Sequence, residues 1–337
     1  MNLVFAHFGS PLPKHLLLNL ERVSRLFPSH KVFLITDLTL KSFKISNVDV
    51  YKYSYSKDWW LLYNQLNHSK DFRDNFWFTS SARFIALADF SNFAEGEFLH
   101  IESDVLISED FPFSKLSTSN ADFMFPIVSD LNAIASCLYI RSSKSAKYLA
   151  NLTLLESQKN NLTTDMYILS ELSKNREVKF SPLPTAPSMY YSSTNLNSKF
   201  LKMSDISLAD LGGVFDGFDI GRYLFGDDPR NKRGISILRE NDTRTYLDVR
   251  KLDLITRPER EFPYIRHSPS DSYTPVFSLH IHSKNPNMFK IHKSKKIIDR
   301  YVLQSKAKPK KIFTFSIFIK SAIRALKLRL KNFASSE

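Results

Sequence analysis

Residues Phe98 to Ile107 read FLHIESDVLI. The first four form the near-continuous apolar run expected of a strand buried on both faces of a parallel sheet. Glu102 and Asp104 follow one residue apart, where the strand should emerge. Ligands of open parallel sheets bind beyond the carboxyl ends of the strands. Period-two alternation puts both carboxylates on one side of the chain. Like charges so placed repel unless a cation lies near them. A hard divalent cation, Mn2+ or Mg2+, takes oxygen ligands and often fills its shell with substrate phosphates. The plainer reading is that ESDVLISED only begins a surface turn.

A second cluster bears on that choice. SLHIHSK, ending at Lys284, places His280 and His282 two apart on another predicted strand, facing one way. Neutral imidazole suits Mn2+ and other transition metals. Lys284 falls on the same side again, where an ammonium can neutralise a diphosphate. Taken alone, the pair also reads as a solvated His-x-His at a strand edge. Together the acidic and His/Lys clusters predict a metal–diphosphate site.

The surrounding pattern is that of an α/β chain. LVFAHFGS (3–10) is a predicted strand. Leu16, Leu20, Val23 and Phe27 then recur at helical spacing, and KVFLITDL (31–38) is a second apolar strand ending in Asp37. A helix is expected from about Thr79, strands at 121–128, 137–141 and 276–284, and helices in KSAKYLANLTLL and TTDMYILSELSKN. Alternating strands and helices predict a mainly parallel sheet flanked by helices. Residues 181–200 read as loop, and 213–231 as a short helix with polar turns.

Composition narrows the function. The 337 residues are 43% hydrophobic and 13% aromatic, which is a folded, Phe-rich chain. There are only 8 glycines and no glycine-rich phosphate loop. Cys137 is the single cysteine, so intrachain disulfides and Cys-based zinc sites are excluded, and a reducing compartment is expected. The opening residues do not read as a signal peptide, and no stretch is long enough to span a bilayer.

The net charge of +13 is unevenly placed. Lys284 to Glu337 holds 15 Lys and Arg against Asp299 and Glu337, leaving 32 basic and 32 acidic residues before it. The expected organisation is therefore a neutral catalytic domain at 1–284 and a basic tail at 285–337. The domain is expected to divide into a donor-binding part (about 1–145) and an acceptor-side part (about 146–284).

In that tail, Ile312, Phe315, Ile319, Ile323, Leu326, Leu330 and Phe333 fall on one helical face. Lys320, Arg324, Lys327 and Lys331 fall on the opposite one. This is a basic amphipathic helix, expected to lie in an anionic membrane interface. Docking on the chain's own surface is the plainer reading. The large apolar face argues against nucleic acid.

The order of elements, the acid-x-acid after a mid-chain strand and the late H-x-H-S-K together resemble the GT-A class of nucleotide-sugar glycosyltransferases. The likeness is to bacterial polysaccharide-assembly members, over about Leu3 to Lys284. It implies a Rossmann-like sheet with helices on both faces. It further implies Asp104 as metal ligand, His280 or His282 as a further ligand, and Glu102 near the ribose or a metal-bound water. Arg83 would reach the donor diphosphate and Asp37 the nucleoside. Glu102 departs from the usual D-x-D, which touches its ribose role more than the metal role of Asp104.

The chemistry so implied needs a leaving nucleoside diphosphate neutralised by a metal with Lys or Arg. An inverting enzyme also needs a carboxylate base. Asp165 and Asp216 are the candidates, against plainer roles as a helix first-turn charge after Thr164 and a helix cap. Asp228 and Arg230 read as an acceptor-side loop or a self-satisfied turn. Trp59, Trp60, Tyr190 and Tyr191 read as sugar-stacking residues or core.

The expected function is transfer of sugar from a nucleoside-diphosphate sugar to a glycan or lipid-linked acceptor, on the inner, cytoplasmic face of the plasma membrane. A metal-dependent sugar-nucleotide hydrolase or nucleotidyltransferase, and a non-catalytic membrane-binding module, are the alternatives.

Overall fold

The structure, a computed structural model, describes residues 1–307 except 10, 41–42, 69–71, 74, 192–197, 227, 229–244 and 269. The chain opens with β1 (Asn2–His7), α1 (Lys14–Leu26), β2 (Val32–Thr36), β3 (Val48–Lys52), α2 (Lys57–Gln65), α3 (Phe76–Phe90) and β4 (Phe98–Ile101). Next come β5 (Val105–Ile107), α4 (Phe113–Thr118), β6 (Phe123–Ser129), β7 (Asn132–Ala133), β8 (Cys137–Ile140), α5 (Ser143–Lys159) and α6 (Asp165–Lys174). β9 (Phe180–Leu183), α7 (Ser198–Leu211), β10 (Val214–Phe215) and α8 (Asp219–Phe225) follow. β11 (Asp253–Ile255), β12 (Tyr264–His267), β13 (Ser272–His280) and α9 (Ile291–Ala307) complete the described chain.

The larger sheet has the order β3-β2-β1-β4-β8-β6-β7, with β9 beside β6. Only β8 and β7 run against the other strands, so the sheet is mainly parallel, as expected. Alternation along the strands explains the helices on both faces. Leu3, Phe5, Leu99 and Ile101 pack with Leu16, Leu20 and Val23 of α1, while Val4 and Phe98 pack with Phe84 and Leu87 of α3. Each such fully buried side chain contributes about 1.5–3 kcal/mol.

A second sheet, β10-β13-β12-β11 with β5 beside β13, was not expected from the sequence. β5 is the VLI of the opening stretch and is wholly buried, so ESDVLI is more than a surface turn. The register of β5 on β13 pairs His280 with Val105, and Ile281 N–H donates to Asp104 C=O at 2.7 Å. Glu102 and Asp104 therefore lie in the turn where the chain passes from one sheet to the other.

The packed body continues past Lys284, the boundary drawn from charge. Met288, Phe289, Ile298 and Val302 are buried. Lys295 donates to the carbonyls of Arg257 and Arg260 at 2.8 and 2.6 Å, and Lys306 pairs with Asp253 at 2.8 Å. Residues 285–307 thus belong to the body, because apolar positions four apart in a charged helix still find a core. The amphipathic segment 312–333 lies outside the described residues.

α8 approaches the end of β13 very closely at Gly221. A Cβ there would stand 2.0 Å from the His280 carbonyl oxygen and 2.8 Å from Asp216 Oδ2. Gly221→Ala is expected to lower the unfolding free energy by about 3 kcal/mol, the upper end for overpacking. Urea denaturation checks this, and stability equal to the parent protein would show that the approach is not tight.

Candidate active site

Glu102 continues the alternation of Phe98 and His100 and so turns toward α3. There Arg83 meets it: Nη1 lies 2.5 Å from Glu102 Oε1, and Nη2 is hydrogen-bonded to Asp165 Oδ2. Asp165 is the first residue of α6, capped by Thr164, whose hydroxyl accepts from Tyr167 N–H at 3.3 Å. Burial opposes the Arg83 charge, but the two carboxylates more than offset it and raise its pKa. Burial would raise Glu102, but Arg83 and then His280 hold it below the usual carboxylate range. Burial raises Asp165, and Arg83 offsets this only in part.

His280 ends β13. Its Nδ1 lies 2.7 Å from the Gly217 carbonyl, which can only accept, so Nδ1 carries a proton. Nε2 is thereby aimed at Asp104 Oδ1 (3.4 Å) and Glu102 Oε2 (3.7 Å). This second interaction fixes the ring as an outer partner fixes a metal-ligating imidazole. Burial lowers the affinity of His280 for a proton, yet Asp104 and Glu102 outweigh it and push the pKa up to about 9.

His282 and Lys284 arrive by a route the sequence did not show. β13 stops at His280, and the chain turns, with Lys284 N–H donating to Ile281 C=O at 2.8 Å. The turn stacks the two imidazoles at 3.9 Å between centroids. Burial and the neighbouring His280 charge hold the His282 pKa well below its ordinary value. Its Nε2 is buried and has no hydrogen-bond partner among the described residues. Lys284 Nζ bonds Asp104 Oδ2 and lies 3.6 Å from Asp228 Oδ2, which in turn is 3.4 Å from Arg73. Burial would raise Asp104, but Lys284 and then His280 hold it well below the usual carboxylate range.

One ligand atom from each of Asp104, His280 and His282 lies within 4.8 Å of the others. One carboxylate oxygen with two imidazole nitrogens is a donor set that suits Mn2+. The partnerless, buried His282 Nε2 is what such a set looks like when a lone pair awaits a cation. The residues fit a divalent ion.

Several expected residues have other work. Both oxygens of Asp216 are taken by backbone, accepting from Ile220 N–H (3.0 Å), Gly221 N–H (2.7 Å) and His280 N–H (3.0 Å). It anchors α8 to β13 and is not a base, although burial, against those donors, raises its pKa. Asp165 is paired to Arg83 through Oδ2. Arg83, with both terminal nitrogens held by carboxylates, clamps Glu102 to Asp165.

Asp37 lies at the same sheet edge, one strand beyond β1. It accepts from Gly9 N–H at 3.1 and 3.2 Å and from the Tyr55 hydroxyl. Gly9 has φ +82°, which suits glycine. Trp59 is buried against Phe8, Tyr53 and Phe78 and belongs to the core, while Trp60 is exposed. Asp228 joins the charged cluster, and Arg230 lies outside the described residues. No spacing along the sequence ties Arg73 to a site.

The whole is the arrangement expected, a mainly parallel sheet flanked by helices, with the acid and imidazole side chains gathered at its carboxyl edge. No protein-family model and no curated protein matches the chain. It is similar to the solved structure of the galactosyltransferase LgtC with donor and acceptor sugar analogs. That match has 12% identity and a TM-score of 0.40, and covers 60% of this chain and 83% of that one. Similarity to the glycosyltransferase GlyE of Streptococcus pneumoniae TIGR4 has 16% identity and a TM-score of 0.37, covering 54% of this chain and 44% of GlyE. Mouse xyloside xylosyltransferase 1 in its apo form is 9% identical at a TM-score of 0.36, covering 62% of this chain and 93% of that one. The chain thus spans less than half of GlyE.

Removing Arg83 would strand Glu102 and Asp165 as buried carboxylates. Arg83→Met is expected to cost about 3–5 kcal/mol of stability, the range for breaking a buried pair from one side. Chemical denaturation measures it, and a loss under 1 kcal/mol would mean that the triad is solvated.

Proposed function

We propose that the chain is a glycosyltransferase that takes sugar from a nucleoside-diphosphate donor and uses Mn2+ or Mg2+ held by Asp104, His280 and His282. The observation that carries this reading is the convergence of those three side chains, with Lys284 beside them, at the carboxyl edge of a mainly parallel sheet. When bound, the cation supplies fixed positive charge against the departing diphosphate. Lys284 adds a second positive charge on a flexible stem. The Arg83–Asp165 clamp keeps Glu102 ionised and oriented. Asp37, held by Gly9 and Tyr55, offers its edge of the sheet to the nucleoside. Asp216 supports the chemistry indirectly, by fixing the backbone of His280.

The acceptor in this reading is a glycan or lipid-linked sugar at an anionic membrane on the cytoplasmic side. The basic amphipathic pattern of 312–333 supports it. No helix among the described residues is long and apolar enough to cross a membrane.

Asp104→Asn is expected to abolish Mn2+-dependent UDP binding in calorimetry while the cooperative melt is retained. Undiminished affinity would sink the site. Deleting 312–337 is expected to release the protein from anionic vesicles in a sedimentation assay without stopping turnover on a soluble acceptor. Retained vesicle binding would remove the membrane role of this segment. Release of sugar from the donor without any acceptor would favour the hydrolase instead.

A further inference from the structure

Both oxygens of the carboxylate assigned to the metal already face side chains of the chain itself. Asp104 Oδ2 accepts from Lys284 Nζ, and Oδ1 is 3.4 Å from His280 Nε2. The ammonium of Lys284 also has a second carboxylate within reach, Asp228 Oδ2 at 3.6 Å. The backbone that delivers it is unusual. Lys284 has φ +48°, a left-handed conformation that residues with a Cβ rarely adopt. The turn around it is tied to its own target, since Lys284 N–H donates to Ile281 C=O and Ile281 N–H donates to Asp104 C=O.

We propose that Lys284 is the resident counter-ion of the metal site. It neutralises Asp104 while no divalent cation is bound. It gives up Asp104 when the cation arrives, and its ammonium then moves toward Asp228 and the diphosphate. The inference rests on the metal assignment made above and adds the exchange to it.

The physical reason is the burial of Asp104. A buried carboxylate left without a partner is strongly destabilising, so a metal ligand in this position needs a cation at all times. An ammonium on a four-carbon stem can be traded between carboxylates, which a planar guanidinium held in a fork does less readily. Arg83, locked between Glu102 and Asp165, is the fixed cation of the cluster, and Lys284 is the exchangeable one. Two consequences follow. The metal binds more weakly than its ligands allow, by the fraction of molecules in which Lys284 has left Asp104. Metal and diphosphate also assist each other, because each draws Lys284 to the same new place.

The test is Mn2+ titration of the full chain without nucleotide, read as loss of the free-Mn2+ paramagnetic resonance signal, followed by calorimetric UDP binding at saturating Mn2+. Lys284→Met removes the ammonium. Lys284→Gly also removes it and suits φ +48°, which guards against misfolding. Both variants, checked by thermal melting, are expected to bind Mn2+ alone about tenfold tighter than the parent chain and UDP about tenfold weaker. Variants that bind Mn2+ equally or more weakly, while the parent binds it, would overturn the exchange and leave the metal site standing. Absence of Mn2+ binding by the folded parent and both folded variants would overturn the metal assignment, and the exchange with it.

Discussion

The antiparallel pairing of β5 with β13 is the interaction on which the candidate site depends. Three residue pairs, Val105 with His280, Leu106 with Leu279 and Ile107 with Ser278, join segments far apart in the chain. The hydrogen bond from Ile281 N–H to Asp104 C=O extends that ladder by one step and sets the acid beside the imidazoles. A slip of one residue would turn His280 to the opposite face of the sheet. Asp216 guards against such a slip. It binds the His280 N–H and the first turn of α8 with the same carboxylate, and Gly221 lets α8 come close enough to be held.

Around this joint the charges alternate. Asp165, Arg83, Glu102, Asp104, Lys284, Asp228 and Arg73 form the series, with the His280 imidazole between the two acids Glu102 and Asp104. Such a set gains little stability over a well-packed apolar core, since desolvation offsets most of the attraction. What it secures is placement. Each group between the ends of the series is held by two others, and one cation, Lys284, is attached to a flexible stem. A divalent ion and a diphosphate entering together would leave the sum of charges near balance. That explains how a cluster of this kind can be buried without them.

Much of the fold was legible in the sequence because its signals are local. Leu16, Leu20, Val23 and Phe27 mark α1, and the apolar runs at 31–38 and 98–101 mark parallel strands. The second sheet was not legible: β5 is three residues long, β10 two, and acids flank β5. The helix α7 was hidden behind a polar stretch read as loop. In the site, the acid pair and the histidines were found by residue type. Their meeting was inferred, while its cause, a sheet joint and a turn at Lys284, was not visible. The true work of Asp216 and Arg83 was hidden for one shared reason. Their partners are backbone amides and carboxylates from other elements, and no spacing along the chain records them. The basic character of 285–307 misled in the opposite direction, since Ile298 and Val302 bury one face of a helix that composition marks as tail.

In the function proposed above, acid and imidazole from distant segments grip one divalent ion. Electron spin-echo modulation of Mn2+ bound to the full chain tests it most directly, because directly bound imidazole nitrogen imprints its own frequencies. Coupling to the nitrogens of two histidines is expected, one of which disappears in His282→Ala. A spectrum showing only water protons, with no nitrogen coupling, would contradict it.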